Sequence, residues 1–153
     1  YVLDGYAHAA EPIVGQALGR QDRERFVLCV RRSVQLATGS ALLLSLLIFL
    51  CGPLLIGALT SHADVNAFAM DNLSFAAVYV LLSGLAFQLD GIFIGAGTTA
   101  EMRNMSLLSA GIYGLALALL LPMWSYAGLW AAFIIYVTTR GLTLLLRLHR
   151  ITP

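Results

Sequence analysis

Long apolar runs separated by short polar connections set the rhythm of this chain. Apolar stretches cover 34–59, 75–96, 105–124 and 128–146, and an incomplete one covers 1–18. The four longer runs approach or reach the roughly 20 residues that an α-helix needs to cross the hydrocarbon core of a bilayer. Lipid offers backbone amides no outside partner, so runs of this kind fold as helices. The pattern predicts an all-α, polytopic transmembrane helix bundle of about five helices over 1–153.

Two stretches inside these runs repeat one motif. Residues 2–20 read VLDGYAHAAEPIVGQALGR and residues 88–103 read QLDGIFIGAGTTAEMR, each placing Leu-Asp-Gly in an apolar run that ends at arginine. A carboxylate at membrane depth is costly unless it faces a cavity or a partner, so Asp4 and Asp90 are candidate functional residues. The recurrence suggests a helix pair used twice, as in transporters built from repeats.

Composition agrees that the main solvent is lipid. The chain has 153 residues, 59% of them hydrophobic and 11% charged, with a mean hydropathy of +0.84. A soluble domain carries roughly 25% charged residues. The net charge of +1 comes without a basic stripe or patch, so nucleic acid is not an expected partner.

The basic residues are all arginine and fall in three groups: Arg20, Arg23, Arg25, Arg31 and Arg32; then Arg103; then Arg140, Arg147 and Arg150. Connections 60–71 and 122–127 contain none. Positive charge marks cytoplasmic connections, so the arginine-bearing ones and the C-terminus are expected inside and the other two outside. Trp124, Tyr126 and Trp130 then fall at an external aromatic belt. The first segment opens mid-helix without methionine or a signal peptide, which reads as the C-terminal piece of a longer protein. Arg147, His149, Arg150 and Pro153 form a short basic tail. Cys29 and Cys51 lie near opposite ends of one predicted helix, about 33 Å apart at 1.5 Å per residue, and read as packing residues.

Helix contacts are expected at Gly15 with Gly19, Gly91 with Gly95, and Gly111 with Gly114, because small residues let backbones approach. Pro12 and Pro53 are expected to bend or end their helices. The densest polar group is Asp4, His8 and Glu11, spaced i, i+4 and i+7 on one helical face. That face must line a cavity, meet a neighbouring helix or lie near an interface. It suits proton coupling, and equally a polar wall with no obligatory residue. Gln88 stands near Asp90 as a neutral ligand or as a helix contact. Arg140 is expected to snorkel to the interface, with Glu101 as a candidate partner.

Enzyme chemistry has no motif here. There is no phosphate loop with lysine, His8, His62 and His149 lack zinc-ligand spacing, and no serine or cysteine stands in a nucleophile motif. No enzymatic activity, cofactor or bound metal is expected.

Gly15-Gln16-Ala17-Leu18-Gly19, ending an apolar helix before a charged connection, resembles a helix end of the multidrug and toxic compound extrusion (MATE) transporters. Leu3-Asp4-Gly5, Leu89-Asp90-Gly91-Ile92-Phe93-Ile94-Gly95-Ala96, Glu101-Met102-Arg103-Asn104 and Leu129-Trp130 with Arg140-Gly141-Leu142 resemble the DinF-like branch in particular. The resemblance implies a twelve-helix antiporter of two six-helix lobes, with this chain running from the end of the eighth helix through the twelfth. It implies exchange of protons or sodium ions for cationic or amphipathic organic compounds. Asp90 matches an acidic residue of the tenth helix that contributes to cation binding in some branches. The proton-linked aspartate of the DinF-like branch, on the first helix, and another acid on the seventh lie outside this chain, so the coupling ion stays open.

The resulting expectation is a bacterial inner-membrane efflux antiporter working by alternating access. Its partners are membrane lipid, the coupling ion, a small organic substrate and the missing N-terminal lobe. Asp90, Asp4, Glu11, His8 and Gln88 are the candidate ion- or substrate-binding residues. A lipid-linked precursor flippase and a non-transporting membrane subunit are the alternative readings.

Overall fold

The computed structural model describes residues 1–151, so Pro153 of the basic tail lies outside the described residues. Four helices account for nearly all of them: α1 (Val2–Gly19), α2 (Arg23–Leu59), α3 (Ala63–Gly95) and α4 (Thr99–Arg147), followed by a 3-10 turn, Leu148–Arg150. The expected bundle is there, but with four helices in place of five. The helices also begin before the apolar runs do. Asp22 caps α2 by accepting a hydrogen bond from the Arg25 amide at 2.9 Å, which satisfies one of the free donors at a helix start. The polar residues from Arg23 to Ser33 are therefore helical. Much of connection 60–71 is helical too, leaving only Thr60 to His62 between α2 and α3. Pro12 and Pro53 end nothing, since α1 continues to Gly19 and α2 to Leu59.

The missing fifth helix is explained by one residue. Connection 122–127 contains Pro122 within a helical run, and only Ser125 leaves helical geometry, at φ 50° and ψ −123°. The run folds back there. Tyr113 meets Phe133 at a ring distance of 5.3 Å and Tyr136 at 5.7 Å. A straight helix would separate residues 113 and 133 by about 30 Å. The two expected spans 105–124 and 128–146 are thus arms of one bent helix. Gly128 permits the tight return, because a β-carbon there would collide with the Leu120 carbonyl group.

Helix α3 is the hub: it packs on each of the other three, while among the described helices α1 packs on α2 and α3. Ala7 faces Gly91 and Glu11 faces Gly95, so α1 and α3 run parallel and the two Leu-Asp-Gly repeats lie side by side. Against α2 the direction reverses, with Gly84 near Ala41 and Ala37, and Gly52 near Leu73. The largest buried side chains, among them Phe26, Leu89, Ile92, Phe93 and Leu144, join Val14, Ala17, Val30 and Ile151 in one core. That core sits at the arginine-rich end of the bundle. Towards the other end, Leu42, Leu46, Leu50 and Leu54 of α2 are exposed, as a lipid-facing surface would be. By length and composition α2, α3 and Thr99–Arg150 can each cross a membrane.

Not every glycine spacing became a contact. Gly15 lies near the Gly95 carbonyl, and Gly91 and Gly95 are pressed against α1, but Gly19, Gly111 and Gly114 have open space where a β-carbon would go. Spacing selects a face, and only the fold decides whether a neighbour occupies it.

Candidate functional site

A cleft of about 290 Å³ opens over α3, between α1 and α4. Its wall contains Asp4, His8 and Glu11 from α1, Asp90 from α3 and Arg140 from α4. The α1 stripe and both repeated aspartates are thus brought into one place. Three carboxylates face one guanidinium and one imidazole, so the cleft favours positive charge.

On α1 the three side chains interact in a row. The His8 ring lies with Nδ1 3.0 Å from Glu11 Oε1 and Nε2 3.4 Å from Asp4 Oδ2. The row is open to the cleft, with His8 and Asp4 side chains 68% and 51% exposed. Asp4 also borders a second, larger cavity of about 480 Å³ with Tyr79, Ser83 and Phe87.

Asp90 is in a different state. The Arg140 guanidinium grips both of its oxygens, Nε donating to Oδ2 at 3.0 Å and Nη2 to Oδ1 at 2.9 Å. Such a two-point fork is the strong form of a charge-assisted pair. A third donor, Nη1, reaches the Ser106 hydroxyl, which in turn donates to the Met102 carbonyl at 2.7 Å. The pair is mostly enclosed, with the arginine and aspartate side chains 16% and 17% exposed. Arg140 therefore does not snorkel away, and Glu101 is not its partner. Glu101 instead accepts from Arg147 at 3.1 Å and from Arg150 at 3.5 Å, tying the start of α4 to its end.

Gln88 does not share the cleft. It is fully buried, and neither amide atom has a hydrogen-bond partner. Gly84 lies one turn before it and Gly91 one turn after it, the positions that meet α2 and α1. Arg140 and Ser106 are the functional candidates that sequence reasoning missed. The signal was an arginine inside an apolar run, complementary to an aspartate inside another. Among the described residues, no three His, Cys, Asp or Glu side chains gather in a way that could hold a metal ion.

Comparison with known proteins identifies the family of the chain. The model of the MatE family matches residues 1–120. The chain is also 34% identical over 144 residues to DNA damage-inducible protein F of Escherichia coli (strain K12), an alignment covering 94% of this chain and 31% of that protein. The chain belongs to the MatE family, whose members are transporters and not enzymes. With its apolar helices, it is part of a multi-pass membrane protein. It spans about a third of the length of the curated relative it matches.

Proposed function

We propose that the chain is the C-terminal part of a bacterial inner-membrane efflux antiporter that exchanges protons or sodium ions for cationic or amphipathic organic compounds. The observation that supports this most directly is the acidic cleft, in which α1 and α3 present Asp4, His8, Glu11 and Asp90 together. Cation binding or protonation there changes the relative stability of inward-open and outward-open states, and alternating access follows from that bias. An N-terminal lobe supplies the facing wall, and the C-terminus lies in the cytoplasm.

The test uses full-length protein in proteoliposomes with an imposed pH or sodium gradient and a cationic dye as substrate. Asp90→Asn is expected to abolish gradient-driven dye movement while leaving membrane insertion intact, and Asp4→Asn to cause a milder loss. Dye movement indifferent to both gradients would overturn the exchange reading.

A further inference from the structure

A carboxylate at membrane depth in a cation-exchanging cleft invites a metal cation. Here that place is already taken. Arg140 uses two of its donors on the two oxygens of Asp90 and is steadied from behind by Ser106. A guanidinium does not give up its proton in a protein, so its positive charge is permanent. A small hard cation needs several oxygen ligands at close range. At Asp90 it would find both oxygens engaged and a fixed like charge beside them.

We propose that Arg140 is a tethered cation that determines ion specificity by barring sodium from Asp90. The inference deepens the proposed exchange function and rests on it for its meaning, though not for its test. The enclosure of the pair matters to the argument, because interactions shielded from solvent are little screened by salt. Asp4, His8 and Glu11 interact with one another on α1, and none of them shares an ion pair with Arg140. A merely structural role for Arg140, holding the second arm of α4 against α3, would leave no signature specific to sodium.

The experiment follows thermal unfolding of purified full-length protein in equal concentrations of sodium chloride and choline chloride. Wild type is expected to show no difference in unfolding temperature between the two salts, and Asp90→Asn, unfolding at its own lower temperature, is expected to show none either. Arg140→Gln, which empties the fork and leaves the carboxylate, is expected to unfold about 3 °C or more higher in sodium than in choline. The double variant Asp90→Asn with Arg140→Gln is expected to lose that difference. A sodium-dependent rise in wild type that Asp90→Asn removes would overturn the proposal, as would a folded Arg140→Gln protein indifferent to sodium. Should Arg140→Gln fail to fold, the wild-type and Asp90→Asn comparison still decides, together with Arg140→Lys. Lysine keeps the charge but cannot make the fork, so it is expected to show no sodium response, and a response would overturn the proposal. Loss of all gradient-driven transport in wild type would refute the exchange function and leave this binding test unaffected.

Discussion

Gly95 of α3 lies directly on the backbone of Glu11 in α1: a β-carbon at Gly95 would stand 2.5 Å from the Glu11 carbonyl oxygen and 2.8 Å from its Cα. Side chains at such a place cannot move aside, because the obstacle is main chain. Gly95→Leu is therefore expected to push α1 off α3 and cost about 1–3 kcal/mol, the usual range for overpacking. Gly111→Leu is the control, since open space surrounds it. Thermal unfolding in detergent checks the pair, and equal effects at both positions would refute the contact.

The Asp90–Arg140 pair should respond to substitution in a non-additive way. Removing one partner of an enclosed ion pair leaves the other charge uncompensated, at a cost of about 3–5 kcal/mol. Asp90→Asn and Arg140→Gln are each expected to destabilise strongly, and the double variant less than the sum of the two. A double-mutant cycle on unfolding free energy measures the coupling, and additive effects would mean that the side chains do not interact.

Ser125 carries the reversal of α4 at φ 50° and ψ −123°. These angles match the first central position of a type II′ turn, where glycine is favoured. Non-glycine residues held in such regions cost of order 1–3 kcal/mol. Ser125→Gly is expected to raise the unfolding temperature and Ser125→Ile to lower it. A glycine variant less stable than wild type would exclude the turn as the origin of the bend.

Membrane orientation is expected to follow the arginines, with Arg103 in the cytoplasm and His62 outside. In full-length protein lacking Cys29 and Cys51, an impermeant thiol reagent applied to intact cells should label His62→Cys and spare Arg103→Cys. The opposite labelling would invert the topology.

The apolar runs announced the bundle, and the repeated Leu-Asp-Gly motif announced two aspartates that the fold places in one cleft. Hydropathy reports only the lipid-buried part of a helix. It therefore missed the polar first turns of α2, which the Asp22 cap and backbone hydrogen bonds carry, and those of α3, which start without a side-chain cap. The two arms of α4 looked like separate helices because Pro122 and the aromatic cluster resemble a connection. In the structure, helix persists through Pro122 and only Ser125 breaks it. Arg140 was misplaced for a related reason. Its distance from the end of an apolar run is compatible with reaching the interface, and its true partner, Asp90, lies 50 positions away in sequence. Only the return of the chain at Ser125 puts the two side chains within reach.

The large buried side chains gather where Phe26, Phe93 and Leu144 meet, whereas the opposite end is joined by ring contacts such as Phe68 with Tyr126 and Phe75 with Trp130. A rigid tilt of α3 would therefore pivot about the arginine-rich end, as about a fulcrum. Helix α3 has 33 residues and is about 50 Å long at 1.5 Å per residue, so tilting it about 5° around that fulcrum moves its far end by about 4 Å. Asp90 sits close to the fulcrum, where the same tilt moves atoms by less than about 1 Å. A small rigid tilt begun at the carboxylate's end of α3 would thus become a much larger displacement where Phe68 and Phe75 lie.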